Sequence, residues 1–422
     1  MGKGLIIAAP SSGAGKTTVT LALLRLLSRQ GVAVRGAKSG PDYIDSRFHE
    51  AACGAPCFNL DAWAMGPDRL RALAHTDGYL LIEGAMGLFD GAPPDGKGAV
   101  ADLARLFDIP VVLVVDAGRM AGSVAALVQG FAGFDTRVRV AGVILNNVGS
   151  DRHFDMLRCA LDMTGLPVLA ALRRDAGLRH PARHLGLVQA EEHPDLEAFL
   201  NRAADALAES LDERALLALF SPLPEPRHSQ GLEPPAQVIA VAQDAAFAFA
   251  YPHILRDWRM AGAEIKLFSP LADDPVPKAG FVFLPGGYPE LHAGRLAASE
   301  RFLDSLRIAS KDTDIYGECG GYMVLGTELI DEHGTAHKMA GLLDLETSFA
   351  ARRLHLGYRD LTPLGGPFAG ALKGHEFHYA STLKADGAPL FEARRAEGAA
   401  LAPMGLRSGR VSGSFAHVID AA

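Results

Sequence analysis

The chain is short of cysteine, of basic charge and of long apolar runs, and each shortage removes a class of protein. Four cysteines, at 53, 57, 159 and 319, are scattered through 422 residues with no Cys-x-x-Cys pair. This excludes a disulfide ladder and a thiolate zinc site, and makes a reducing cytoplasm the expected compartment. Cys53 and Cys57 read as plain core thiols. A formal net charge of −8 and a pI near 6.0 argue against nucleic-acid and membrane-surface partners, which select clustered Lys and Arg. A small-molecule partner is expected instead. No stretch approaches the roughly 18 uninterrupted apolar residues of a membrane span. The opening Gly-Leu-Ile-Ile-Ala-Ala runs straight into a glycine loop and not into a cleavage site, so it reads as a buried first strand.

The length is too great for one ordinary core, and two domains are expected. From residue 4 to about 210, β-branched runs alternate with Ala- and Leu-rich helical stretches, the pattern of parallel strands joined by helical crossovers. Those runs are Leu5 to Ala8, Val32 to Ala37, Tyr79 to Ile82, Val111 to Val115, Val140 to Leu145 and Val168 to Ala171. The proline-rich segment 221–236 cannot hold a helix or a central strand, and is read as a linker between domains 1–220 and 237–422. Alternation then restarts with Val238 to Ala242, a helix near Phe247 to Met260, Glu264 to Phe268 and Phe281 to Leu284. Beyond 337, glycine-punctuated runs such as His355 to Asp360 and Glu376 to Ala380 predict added antiparallel strands.

Two motifs carry chemistry. Residues 10 to 18, Pro-Ser-Ser-Gly-Ala-Gly-Lys-Thr-Thr, lie between a strand and a helix, the context of a phosphate-binding loop. Backbone N–H groups of Ser12, Gly13, Ala14, Gly15 and Thr18 are expected around ATP phosphates, with Lys16 on the β and γ groups and the Thr17 hydroxyl on Mg2+. Pro10 stands where the usual pattern has its first glycine. A magnesium site also wants carboxylates, and Glu83, Asp116, Asp42 and Asp45 all follow strands. Asn146 ends a strand and offers an amide to adenine. Lys38, Arg47 and Arg152 are loop cations available to an acidic substrate, although each reads first as a solvated surface charge.

The second motif is Tyr-Gly-Glu-Cys-Gly-Gly-Tyr-Met at 316 to 323, a strand, a glycine-crowded turn and a helix with Cys319 at the turn. This is the form of a nucleophile elbow, and the helix opening there is expected to favour thiolate. Gly286 and Gly287, after the strand Phe281 to Leu284, are positioned to donate to an oxyanion together with Gly320, and His417 is the base candidate. Gly374-His375-Glu376-Phe377-His378 lacks the four-residue helical spacing of a metalloprotease motif and reads as substrate contact or structure.

Together these motifs resemble the cobyrinic acid a,c-diamide synthase family, glutamine-dependent enzymes of corrinoid biosynthesis, over essentially the whole chain. Ala-Pro-Ser-Ser-Gly-Ala-Gly-Lys-Thr-Thr, Gly-Pro-Asp-Tyr-Ile-Asp and Glu-Gly-Ala-Met-Gly-Leu-Phe-Asp-Gly are similar to a dethiobiotin-synthetase-like domain. Leu-Pro-Gly-Gly-Tyr-Pro-Glu, Gly-Glu-Cys-Gly-Gly-Tyr-Met and Gly-His-Glu-Phe-His-Tyr are similar to a class I glutamine amidotransferase domain. The resemblance implies an α/β fold in which a P-loop, doubly wound domain is followed by an amidotransferase α/β domain. It implies Cys319 as nucleophile, His417 as the residue that raises its nucleophilicity, and Thr17, Asp45 and Glu83 on the magnesium side, with Asp116 behind Glu83. It also implies Asn146 toward adenine, and Asp42, Tyr43, Ile44 and Asp90 toward the carboxylates being amidated. Many class I amidotransferases carry an acid two positions after the histidine; here that residue is Ile419, and Asp420 is a weak substitute.

Pro-Cys-Phe-Asn-Leu-Asp-Ala-Trp-Ala-Met at 56 to 65 is most similar to aerobic-pathway members acting on hydrogenobyrinic acid, with cobalt-containing cobyrinic acid the alternative. Glutamine and ATP are the other expected substrates. The implied chemistry is amidation of the a and c carboxylates through acyl phosphates, with ammonia handed internally between domains. A homodimer is compatible with this. The rivals are cobyric acid synthase and a partitioning-type ATPase switch; the switch needs a lysine near the loop's start, where this chain has Ser11, and leaves Cys319 unused.

Overall fold

The computed structural model describes residues 2–178 and 189–422, with the backbone alone at Ala182–Arg183 and Gly186–Leu187. Its contacts divide the chain into two compact units, Met1–Ser229 and Gln230–Ala422.

In the first unit the apolar runs form β1 (Lys3–Ala8), β2 (Val34–Ser39), β3 (Phe58–Leu60), β4 (Tyr79–Glu83), β5 (Val111–Asp116), β6 (Val140–Val148) and β7 (Val168–Arg173). They pair in the order β3-β2-β4-β1-β5-β6-β7, every neighbour parallel. Residues such as Leu5, Ile6, Ile7 and Val111 to Val114 are fully buried, because helices cover both faces of a parallel sheet. Helix α1 (Lys16–Arg29) leaves β1 through the glycine loop, and α2 (Asp45–Cys53) follows β2. Loops after β1, β2 and β4 therefore gather at the carboxyl ends of adjacent strands. β3 was not anticipated, because three residues are too few to show a period.

The proline-rich segment departs from expectation at its start. Ser221–Pro222 pairs antiparallel with Lys3 and Gly4 of the central strand β1, and Leu223 N donates to Gly2 O. Gly4 permits this: a Cβ there would stand 2.8 Å from Leu223 Cδ2.

In the second unit β8 (Val238–Ala242), β9 (Glu264–Phe268), β10 (Phe281–Leu284), β11 (Asp314–Glu318) and a later strand, Val411–Ser414, form a parallel sheet, extended by an antiparallel Leu406–Ser408. The helix expected near 247 begins only at Pro252, because Phe249 first bridges to Gly286 and Pro252 suits a first helical turn. Beyond 337 the expected antiparallel strands are present with shifted bounds: β12 (His355–Pro363) runs past Asp360 and pairs β13 (Leu372–His378), which begins before Glu376, ends before Ala380 and also pairs β14 (Ala416–Ala421). The chain thus passes from the parallel sheet into the antiparallel one between Ser414 and Ala416.

Candidate functional sites

The phosphate loop is built on left-handed glycines, Gly13 at φ 79° and Gly15 at φ 93°. Gly15 tolerates no side chain, since a Cβ would lie 2.0 Å from Asn146 Nδ2. No side chain caps the start of α1, so its first N–H groups point into the loop, where Ser12 and Gly13 are exposed and Thr18 is half-buried. Lys16 Nζ donates to the carbonyls of Ser11 and Met86. Burial draws its pKa below the usual lysine value, against the pull of Glu83.

Thr17, Asp45 and Glu83 converge behind the loop. Thr17 Oγ1 donates to Glu83 Oε1 at 2.6 Å and lies 3.5 Å from Asp45 Oδ2. These are hard oxygen donors of the kind magnesium selects, and Asp45 Oδ1 is buried without a hydrogen-bond partner among the described residues, so the set fits the ion. Asp116 is not part of it: it is exposed and accepts from Gly118 N and Asn147 Nδ2.

Lys38 corrects its expected place. It is neither in a loop nor solvated but buried in β2, with Nζ 2.5 Å from Asp45 Oδ2 and 2.9 Å from Glu83 Oε1. Burial opposes its charge, but the two carboxylates prevail and hold its pKa above the usual value. Conversely, burial would raise Glu83, and Lys38 and His49 together hold it well below the usual carboxylate range.

His49 is a further member that sequence reading missed. Its Nε2 lies 2.7 Å from Glu83 Oε2, and its Nδ1 3.4 Å from Cys57 Sγ. The available signal was spacing, because Asp45 and His49 are four apart on α2 and share a face. Cys57, read as a plain core thiol, backs this ring. Of the other cations, Arg47 lies in α2 and pairs with Glu50, and Arg152 lies in the helix Asp151–Asp162; neither is a loop residue.

Asp42 is half-buried and its Oδ1 accepts from Ile44 N and Asp45 N, closing the turn into α2. Loss of water and the Asp45 charge push its pKa up to about 6. Tyr43 and Ile44 are buried beside it. Asp90 is exposed and its Oδ2 accepts from Gly87 N. A Cβ on Gly87 would lie 2.5 Å from Asp90 Oδ2 and 2.6 Å from Pro10 O, which sets Asp90 against the loop's first residue. Asn146 is turned toward the loop itself, with Nδ2 donating to Ala14 O at 3.0 Å.

In the second unit Cys319 has φ 47° and ψ −103°, a left-handed backbone uncommon for a residue with a side chain. The turn is held by Cys319 N to Ser414 O and Gly321 N to Pro285 O. Its glycines are required by crowding: a Cβ on Gly321 would lie 2.0 Å from Leu284 O. Gly320 begins the short helix α3 (Gly320–Leu325), and its N–H reaches the sulfur. Gly287 N lies 3.0 Å from where a Gly320 Cβ would stand, so the two expected oxyanion donors are neighbours.

His417 reaches this elbow from β14. A Cβ on Gly286 would meet His417 Nε2 at 2.8 Å and Cys319 Cβ at 3.2 Å, so the ring and the thiol flank one glycine. The expectation of a favoured thiolate is corrected: burial, with Glu290 adding, pushes the Cys319 thiol well up, beyond what the helix start and Gly320 N–H offset. Burial also lowers His417 to about 3, with His375 and His378 contributing, so the ring is uncharged near neutral pH.

His355, Glu376 and His378 place ligating atoms within 4.8 Å of one another, but Arg359 already pairs with Glu376 at 2.6 Å and supplies positive charge there. Asp420 Oδ1 accepts from Ala421 N. The carboxylate near His417 Nδ1 is Glu318, at 3.7 Å, which sequence reading passed over although it precedes the cysteine in the motif.

Known proteins resemble both halves. Residues 5–188 match the CobQ/CobB/MinD/ParA nucleotide binding domain, and residues 238–422 match the CobB/CobQ-like glutamine amidotransferase domain. The whole chain is 55% identical to a hydrogenobyrinate a,c-diamide synthase of Brucella anthropi, covering 99% of this chain and 98% of that one. Proteins of the same name from Rhizobium meliloti, 54% identical over 99% of each chain, and from Rhodobacter capsulatus, 52% identical over 99% of this chain and 98% of that one, are similar along their full length. Among the described residues, no helix is long and apolar enough to cross a membrane.

Proposed function

Because the chain belongs to the hydrogenobyrinate a,c-diamide synthase family, we propose that it amidates the a and c side-chain carboxylates of hydrogenobyrinic acid with ATP and glutamine, in cobalamin biosynthesis. The observation that carries this is the pairing, in one polypeptide, of a phosphate loop backed by two carboxylates with a Cys-His pair at a strained elbow. The partitioning switch is set aside, since it has no use for the second of these.

A carboxylate resists ammonia because oxide is a poor leaving group. In the synthetase unit, residues 1–220, the loop amides of Ser12 to Thr18 and Lys16 hold the ATP phosphates while the γ-phosphoryl group passes to a substrate oxygen. Thr17, Asp45 and Glu83 are the residues to hold magnesium, which supplies charge neutralisation at the phosphates. Lys38 pairs with both carboxylates and, with His49, keeps Glu83 ionised, and His49 orients Glu83. Asp42, Tyr43, Ile44 and Asp90 line the approach of the carboxylate, and Asn146 steadies the loop on the adenine side.

In the amidotransferase unit, residues 237–422, the Cys319 thiol loses its proton to His417 as sulfur attacks the glutamine amide carbon. Gly287 and Gly320 N–H groups take the oxyanion, ammonia leaves, and water hydrolyses the thioester to glutamate. Free ammonia is mostly ammonium near neutrality, so transfer to the acyl phosphate without release suits the chemistry. We place the enzyme in the cytoplasm, and a homodimer is the assembly to test by light scattering.

Mass spectrometry of hydrogenobyrinic acid incubated with the protein, MgATP and glutamine, beside cobyrinic acid, tests the reading. Two carboxyl-to-amide steps on the metal-free ring are expected. Steps on the cobalt ring alone would move the substrate, and no change on either would sink the proposal. Lys16→Ala should lower turnover with glutamine and with ammonium salt alike, by about a hundredfold or more, because ammonia from either source needs the acyl phosphate that Lys16 helps to form. Initial rates with each nitrogen source decide; a loss confined to glutamine would contradict the division of labour.

A further inference from the structure

Ile419 occupies the position where many class I amidotransferases hold an acid, and it is fully buried and apolar, with its carbonyl engaged by His253 Nε2 at 2.8 Å. A base that becomes an imidazolium in a dry site needs negative charge or an acceptor at its second nitrogen. The structure offers one from another direction. Glu318 ends β11, whose residues Gly317 and Glu318 pair with Gly413 and Ser414 of the neighbouring strand. Three residues past Ser414, on β14, lies His417, so the turn out of the parallel sheet carries the ring back over the end of β11. There Glu318 Oε2 stands 3.7 Å from His417 Nδ1, while Oε1 accepts from Val418 N at 3.0 Å and fixes the carboxylate relative to the histidine's own strand.

We propose that Glu318 is the positioning acid of the amidotransferase site, holding His417 through Nδ1 and steadying the imidazolium that forms when Nε2 takes the Cys319 proton. This rests on the reading of Cys319 and His417 given above. The step balances: the proton leaves sulfur for Nε2, the S–C bond forms, and the carbonyl electron pair moves to oxygen. On collapse the C–N bond breaks and Nε2 returns the proton to the departing ammonia. Throughout, Glu318 holds the ring and carries compensating charge without touching glutamine.

The groups around the pair are consistent with this role. His375 stands opposite His417 in the β13–β14 register. With His378 it disfavours positive charge on the His417 ring, and the Phe249 backbone favours it. On the Glu318 side lie the Tyr316 ring, two residues back on the same strand face, and the Cys319 thiol. Burial pushes Glu318 up to about 8, opposed by Val418 N–H and Tyr316. Its carboxylate form therefore grows in as pH rises through that value, and glutamine use should climb with it.

Glu318→Gln is the informative variant, because an amide oxygen can still accept from Val418 N–H while the charge is lost. With glutamine, kcat is expected to fall about a hundredfold with KM within about threefold, and the rising limb near pH 8 should vanish from the profile. Ammonium-dependent amidation should be unchanged. Native kcat with an unaltered pH profile would overturn the proposal. If the ammonium-dependent rate also collapses, so that folding is in question, Glu318→Asp decides. Return of the rising limb at intermediate kcat supports the role, and a rate and profile equal to those of Glu318→Gln overturn it. Glutamine turnover retained in Cys319→Ser would instead remove the underlying reading, so the two failures are distinguishable.

Discussion

Replacing Cys319 by serine is expected to lower glutamine-dependent amidation by at least about a thousandfold and to leave the ammonium-dependent rate within about twofold of native. Serine fits the elbow, since the left-handed backbone and the Ser414 O contact involve no sulfur. What it lacks is acidity. The buried Cys319 thiol is already pushed above its usual pKa, so His417 must remove the proton during attack, and an alcohol makes that step far harder. Ammonium salt bypasses the step. Rates measured with each nitrogen source in one preparation check the result; equal loss with both would mean that thiol and phosphate chemistry are not divided between the units as proposed.

Lys38→Met is expected to destabilise the first unit by about 3–5 kcal/mol, lowering its melting temperature by roughly 10 °C. Methionine fills a similar volume but leaves Asp45 and Glu83 buried together with no lysine between them. Such a loss exceeds what an exposed ion pair contributes, because the remaining charges cannot recover their hydration. Added magnesium should raise the melting temperature of the variant more than that of the native protein, since an ion bound by Thr17, Asp45 and Glu83 replaces the missing positive charge. Calorimetry with and without magnesium reads both effects. A variant that melts with the native protein would show that the pair carries little.

Much of the fold was legible because its signals are local. The runs at Leu5 to Ala8, Val111 to Val115 and Val238 to Ala242 are continuous and apolar, as strands buried on both faces must be, and they form β1, β5 and β8. The late antiparallel strands were legible from glycine punctuation. Boundaries were less so: the helix read from Phe247 starts at Pro252, and Ser221–Pro222 joins a sheet that its proline seemed to forbid. In each case a distant backbone, Gly286 or Gly4, decided the matter.

By itself the sequence determined the two chemistries, since the loop Ser12 to Thr18 and the elbow around Cys319 are contiguous motifs whose glycines report their own backbone geometry. It also named Thr17, Asp45, Glu83 and His417 through family resemblance. Tertiary structure alone decided what surrounds them: that Lys38 is a buried counter-ion to Asp45 and Glu83, that His49 backs Glu83, and that Glu318 faces His417. Those relations join residues on different strands and helices, and their consequences depend on burial. A lysine, a histidine and a glutamate read the same in a sequence whether solvated or enclosed; only the packing that removes water from them fixes their charge, their partners and their use.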